Sequence, residues 1–159
     1  MKRLMFPLLV LAAIAAWQAL TPSQAPDAAG RRDSSAAPAA SAPADVEVAY
    51  ATEVEGAFER ERSGVMVSAA GSVSRLLSDD REGSRHQRFI VGFPSGRTVL
   101  VAHNIDLAPR VRSLEVGDAV RLRGQYEWNE KGGVIHWTHR DPDGSHEAGW
   151  IEHDGERYD

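Results

Sequence analysis

The sequence predicts an all-β domain with one short N-terminal helix, arranged as a small five-stranded OB-like Greek-key barrel with a C-terminal hairpin extension. Three observations predict this fold. From Gly64 onward, apolar and polar residues alternate with the period of a half-buried strand. Clusters of Gly, Pro, Asp and Ser divide this pattern into five strand-like segments. The first segment is long and contains Gly71, where a strand can bend to serve both sides of a small barrel.

The N-terminal segment, residues 1–20, has the pattern of an export signal. Lys2 and Arg3 precede the thirteen-residue apolar run "MFPLLVLAAIAAW". This length fits a signal-peptide core of about 7 to 15 residues better than the roughly 20 residues of a membrane-spanning helix. We therefore expect a periplasmic or secreted protein, either cleaved or attached to the inner membrane by an uncleaved segment. The sequence has no cysteine, so disulfides and lipid-modified cysteines are excluded.

Residues 21–45 are predicted to form a disordered linker ahead of a single domain, residues 46–159. The linker "TPSQAPDAAGRRDSSAAPAASAPA" is dominated by Ala, Pro and Ser and has almost nothing to bury. The domain starts with "AYATEVEGAFERERSG", in which Tyr50, Val54 and Phe58 recur at every fourth position. This spacing predicts a short amphipathic helix that stops near Gly64.

Five strands are predicted to follow the helix in chain order. Their segments are "GVMVSAAGSVSRLL", "RHQRFIVGF", "RTVLVAH", "VGDAVRLRGQY" and "GGVIHWTH". A single helical turn is expected at residues 105–108, and "IEHDGERY" predicts a final hairpin with Asp154 and Gly155 at its tip. The alternation places these side chains in the barrel core: Val67, Val73, Phe89, Val91, Val99, Val101, Val120 and Leu122. An SH3-like barrel remains the alternative, because strand spacing alone does not distinguish the two.

The stretch "HWTHRDPDGSHEAGWIEHDG" begins at His136 and contains four of the six histidines. Its "DPDG" has the residues of a type I turn. If the flanks pair across this turn, His139 faces His146 with about 4.5 to 5.5 Å between Cβ atoms, close enough to share zinc or another divalent metal. Asp141 is the candidate third ligand, and His136 joins only if its strand twists or ends at Trp137. Alternatively, the imidazoles bond to aspartates of their own turn and are purely structural.

Candidate ligand-binding residues lie at the ends of predicted strands. They are His103, Asn104, Arg110, Trp128 and Trp137. The tryptophans are expected on the face where OB folds stack bases or sugars, and Arg110 is placed to reach an anion. The structural alternative is that the tryptophans close the core and that Asn104 caps the following helical turn.

Charge and motifs leave two hypotheses for function. From Gly56 onward, fourteen Lys and Arg stand against seventeen Asp and Glu, so a uniformly basic nucleic-acid footprint is absent. The favoured hypothesis is a binding module for a nucleic acid, an oligosaccharide or another anionic ligand. The alternative is a metal-dependent, phosphodiesterase-like hydrolase that uses His139, His146 and Asp141. Membrane contact is expected only through the N-terminal segment.

Several blocks of the sequence resemble one bacterial family. They include "RHQRF", "LVAHNIDLAPR", "GDAVRLRGQYEWNEKGGVIHWTHRDPDGSHEAGWI" and the closing "GERY". The set is similar to the family catalogued as domain of unknown function 3465, from about Val46 to Asp159. The resemblance implies a small exported domain and no assigned activity. The family tends to have a second histidine where Arg140 stands here, which bears against a three-histidine site.

Overall fold

A computed structural model of the chain describes residues 44–159, so the predicted signal segment and nearly all of the predicted linker lie outside the described residues. The elements are α1 (Ala44–Glu59), β1 (Val65–Leu76), β2 (His86–Gly92), β3 (Thr98–Asn104), β4 (Ala119–Glu127), β5 (Val134–His136), β6 (Trp150–His153) and β7 (Glu156–Tyr158). No helix in this range combines the length and the apolar character that crossing a membrane requires.

Strands β1 to β5 close into a barrel in the order β1-β2-β3-β5-β4, and β4 pairs back onto β1. Strands β3 and β5 are parallel, whereas the other pairs in the barrel are antiparallel. This order confirms the OB-like Greek-key prediction. Strands β6 and β7 extend the sheet beyond β4 as the predicted C-terminal hairpin.

The long first strand serves two partners, as predicted. Residues 65–72 of β1 pair with β4, and from Ser72 onward the strand pairs with β2. Gly71 lies at this change of partner, where a Cβ atom would come within 2.5 Å of the Gly92 carbonyl oxygen. Only glycine therefore permits the two strands to approach so closely here.

The barrel core contains all eight side chains that the alternating pattern places inside, and each of them is buried. Val111 and Leu114, in the link between β3 and β4, join the same core cluster. The predicted helical turn is present in that link, because the Ala108 amide donates to the Asn104 carbonyl oxygen over 3.1 Å. The link thereby covers the end of the barrel at which β3 finishes.

Helix α1 packs against β1 but does not have the predicted bounds. It begins at Ala44, inside the segment predicted to be linker, and ends at Glu59 rather than near Gly64. The chain reverses after Glu59 because Glu61 takes a left-handed conformation, with φ of 50°. The amides of Glu61 and Arg62 then donate to the carbonyls of Phe58 and Ala57, the pattern of a Schellman motif.

The last two strands follow the predicted hairpin register. Ile151 pairs with Tyr158, Glu152 with Arg157 and His153 with Glu156. By contrast, the predicted fifth strand is shorter than expected, because β5 ends at His136. Trp137 has a φ of 53°, which is incompatible with a continuing strand.

Candidate functional site

Five of the six histidines gather at one end of the barrel. The pairing explains why. His86 at the start of β2 pairs with Asn104 at the end of β3, and the parallel pairing of β3 with β5 brings His136 to the same end. The loop of residues 137–149 follows directly and carries the remaining two. We call His86, His103, His136, His139 and His146, together with Trp137, the histidine end.

Two glycines let the chain cross closely over β4 at this point. A Cβ atom at Gly124 would collide with the carbonyl oxygen of His136. One at Gly149 would collide with the carbonyl oxygens of Trp137 and Arg123. The backbone of residues 136–138 is thus confined between Gly124 and Gly149, which fixes the direction of the Trp137 side chain.

The Trp137 indole forms the centre of an aromatic group. The His146 imidazole stacks on it with a centroid distance of 4.3 Å and an angle of 11° between the planes. The His136 ring lies 5.0 Å away at 43°. Trp137 is only partly buried, so part of its side chain packs against the protein and part is exposed to solvent.

His139 and His146 come together as predicted, although not in a strand hairpin. Their rings meet edge to face with centroids 5.2 Å apart. Their Nδ1 atoms lie 2.6 Å and 2.8 Å from the carbonyl oxygens of Arg140 and Glu147, respectively. Since a carbonyl can only accept, each Nδ1 carries the hydrogen and each neutral Nε2 keeps a lone pair. Burial, foremost, lowers the pKa of His139, and the neighbouring His146 lowers it further.

The carboxylate of Asp141 holds the intervening turn together. It accepts the amides of Asp143 at 3.0 Å, of Ser145, and of His146 at 2.9 Å. The Ser145 hydroxyl, foremost, and these amides keep the pKa of Asp141 well below its ordinary range. The predicted turn is formed, but its flanks do not pair as strands, because the Gly149 amide donates to the His139 carbonyl instead. Because the carboxylate is engaged by backbone amides, it is poorly placed to serve as a third metal ligand.

The metal prediction gains no support from the geometry of the described residues. Among residues 44–159, no three His, Asp or Glu side chains are placed to hold one metal ion. The strand does end before Trp137, which was the condition for His136 to join, but the His136 Nε2 atom faces Glu127 rather than the His139 and His146 pair. A zinc site on these residues stays a prediction.

His103, a predicted ligand contact, is held inside the protein by two hydrogen bonds. Its ring is completely buried. Nε2 lies 3.0 Å from the Pro109 carbonyl oxygen, and so donates to it, while Nδ1 lies 2.8 Å from the Thr138 hydroxyl and accepts from it. Burial, as the largest cause, lowers the pKa of His103. The neutral ring therefore ties β3 to the start of the loop.

The other three predicted ligand contacts are also held by the protein itself. Asn104 caps the helical turn by accepting the Asp106 amide at 2.9 Å. Arg110 forms a bidentate pair with Asp79 at 2.8 and 3.0 Å. Trp128 lies at the opposite end of the barrel, where β4 ends, and packs against Phe58. Of the two candidate tryptophans, Trp137 is thus the one at the histidine end, where it is partly exposed.

Two polar side chains of the site escaped sequence reasoning. Gln125 lies directly opposite His136 on β4, and its amide donates to Glu127 Oε1 over 2.6 Å. The same carboxylate oxygen lies 3.5 Å from His136 Nε2, which is buried without a hydrogen-bond partner. The His136 imidazole, foremost, and the Gln125 amide lower the pKa of Glu127. The strand alternation places Gln125 and Glu127 outward, which was the only available signal.

Comparison with known proteins supports the family resemblance. A family model described as protein of unknown function, DUF3465, matches residues 39–159. A comparison with curated proteins gives no match.

Proposed function

The chain belongs to the DUF3465 family of proteins of unknown function, and we propose that it is an exported binding module whose ligand surface is centred on Trp137. The single observation that carries this proposal is the conformation of Trp137, a bulky residue with a φ of 53°. Such a conformation costs on the order of 1 to 3 kcal/mol and concentrates at functional sites. Here its consequence is a partly exposed indole at the end of an OB-type barrel.

The surroundings of Trp137 are built to keep it in place. Gly124 and Gly149 admit its backbone, and the His103–Thr138 hydrogen bond anchors the residue that follows it. An indole fixed in this way loses little conformational entropy when a flat ligand stacks on it. This preorganisation favours a binding role.

A hydrolase has less support than a binding module. The alternative requires Asp141 to orient a catalytic imidazole or to bind a metal. That carboxylate instead accepts three amides of its own turn. His139 directs its Nδ1–H to the Arg140 carbonyl and not to a carboxylate.

Export rests on the N-terminal sequence alone. The basic residues and thirteen-residue apolar run support translocation of the domain out of the cytoplasm. We expect an added protease to degrade the domain in cells stripped of their outer barrier. Protection there, together with recovery among cytosolic markers, would contradict export.

Binding at Trp137 is tested by following the indole N–H signals of the full chain by NMR. The probes are cellotetraose, a tetramer of galacturonate and the oligonucleotide dT12, which represent neutral sugars, anionic sugars and nucleic acid. We expect one of them to shift the Trp137 signal in a saturable manner, and the Trp137→Ala variant to lose that binding. Trp150→Ala is the matched control, because Trp150 lies on β6 and packs under the Arg157 guanidinium of β7. If no probe moves the Trp137 signal, or if binding survives in Trp137→Ala, the proposal is wrong.

A further inference from the structure

Building on the proposed function, we infer that the ligand stacked on Trp137 is an uncharged, hydroxyl-rich sugar ring and not a strand of nucleic acid. The inference rests on three features of the histidine end: its charge, the polar side chains beside His136, and the ring that already occupies the stacking position.

Four arginines around the histidine end are paired with carboxylates. The pairs are Arg85 with Asp106, Arg110 with Asp79, Arg123 with Glu147 and Arg140 with Asp159. Residues 44–159 as a whole carry fourteen Lys and Arg against twenty-one Asp and Glu. Binding of nucleic acid depends on cations that neutralise phosphates. A phosphate at this end would have to displace a carboxylate from an arginine, which disfavours a polyanion.

The polar side chains beside His136 match hydroxyl groups. The His136 ring lies 5.0 Å from the Trp137 indole, and its Nε2 atom lies 3.5 Å from the Glu127 carboxylate. Glu127 is ionised at neutral pH, because its neighbours lower its pKa, and its side chain is 27% exposed. A carboxylate only accepts hydrogen bonds, so it suits sugar hydroxyls and repels phosphate. The Gln125 amide beside it adds a donor and an acceptor.

The His146 imidazole shows what the indole accepts. It is a flat ring, nearly parallel to Trp137 at 4.3 Å. Its loop has no strand pairing and is held by the Asp141 turn, the Arg123–Glu147 pair and the Gly149–His139 backbone bond. A sugar presents a flat face of C–H groups that packs on an indole in the same way. We therefore expect the sugar to take the place of the imidazole, and His146 to move aside.

The inference is tested by measuring affinities of the full chain for cellotetraose, for the neutral tetramer of N-acetylglucosamine and for dT12. Each affinity is measured at 50 and 200 mM salt. We expect at least one neutral tetramer to bind with little dependence on salt. Trp137→Ala should weaken that binding roughly tenfold, and Trp137→Phe should retain part of it. Trp150→Ala, the control, should leave it unchanged.

Glu127→Gln gives the sharpest distinction between the two ligand classes. The exchange removes a negative charge and replaces one acceptor oxygen by a donor. Sugar binding should weaken severalfold, whereas dT12 should show no saturable binding at Trp137 either in the unsubstituted chain or in the variant. If dT12 binds at Trp137 with a steep salt dependence and strengthens in Glu127→Gln, the sugar inference is overturned while the binding module stands. If only the galacturonate tetramer shifts the Trp137 indole signal, the sugar is charged and this inference is overturned; if neither it nor any of the three probes does so, the proposed function itself fails.

Discussion

At the scale of single residues, the histidine end depends on two local features, the Asp141 turn and the left-handed backbone of Trp137. The "DPDG" turn places His139 near His146, and their rings do meet. The Asp141 carboxylate accepts hydrogen bonds from amides of its own turn. The sequence does not reveal this, because an aspartate is equally suited to bond to nearby amides and to bind a metal. The alternation of apolar and polar residues also does not reveal the left-handed backbone conformation of Trp137, since this pattern contains no information on φ.

The neighbouring His146 ring should affect the titration of His139. Because burial and the neighbouring His146 both lower the pKa of His139, that histidine should gain its proton below pH 6.5. We expect His146→Gln to raise the pKa of His139, as measured by NMR titration of the ring signals. His153→Gln is the control, because His153 lies on β6 and its ring pairs with Asp118, away from His139. An unchanged pKa of His139 in His146→Gln would show that the two rings do not interact, and repeating the titration with zinc tests the metal prediction.

Gly149 should tolerate substitution much less than Gly144. A Cβ at Gly149 meets two carbonyl oxygens and the Thr138 Cα at 2.8 Å, whereas one at Gly144 meets nothing within 4 Å. We expect Gly149→Ala to lower the free energy of unfolding by about 1 to 3 kcal/mol and to shift the Trp137 indole signal. Gly144→Ala retains only the strain of its φ of 65°, about 1 kcal/mol. Equal losses in urea unfolding would argue against a close crossing over β4.

At the scale of elements, strands were predictable and helix ends were not. A strand's alternation reports directly which side chains are buried, and all eight predicted core residues are buried. Helix α1 ends where Glu61 turns left-handed, a conformation that glutamate seldom takes and that sequence spacing does not signal. Similarly, β5 stops at His136 because of the backbone of Trp137, not because the alternating pattern ends there.

The Schellman motif predicts opposite effects for one substitution at two nearby sites. Glu61→Gly places glycine where φ is 50°, so the free energy of unfolding should increase by about 0.5 to 1 kcal/mol. Glu59→Gly places glycine inside the last helical turn and should decrease it by a similar amount. Urea midpoints of the two variants measure both effects. A loss of stability in Glu61→Gly would show that α1 does not end in this way.

At the scale of the whole molecule, the OB-like strand order was predictable, whereas only the C-terminal part of the histidine end was. The strand segments and the bent β1 determine the order β1-β2-β3-β5-β4. The grouping of His86 with His139 depends on the register of β2 on β3 and on the parallel contact of β3 with β5. Residues so far apart in sequence meet only once the barrel closes, so the C-terminal stretch alone showed part of the site.

The gathered histidines should make the fold sensitive to mild acid. Burial is the largest cause lowering the pKa of His86, His103 and His139 below 6.5. Between those lowered values and 6.5, the unfolded chain binds more protons than the folded one, so stability rises with pH in this window. We expect full stability above pH 6.5 and a falling melting temperature from pH 6.5 to pH 5. His139→Gln should make this fall less steep, and a constant or rising melting temperature on acidification would contradict the burial of these rings.

The most direct test of Trp137 as the ligand surface is the chemical shift of the His146 ring protons in the full chain. In the free protein, the stacked indole should move these signals upfield, and Trp137→Ala should return them to ordinary positions. Saturation with the neutral tetramer that binds should remove the upfield shift in the unsubstituted chain, because the sugar ring displaces the imidazole. His146 signals that stay in place while that tetramer binds would place the ligand elsewhere on the barrel.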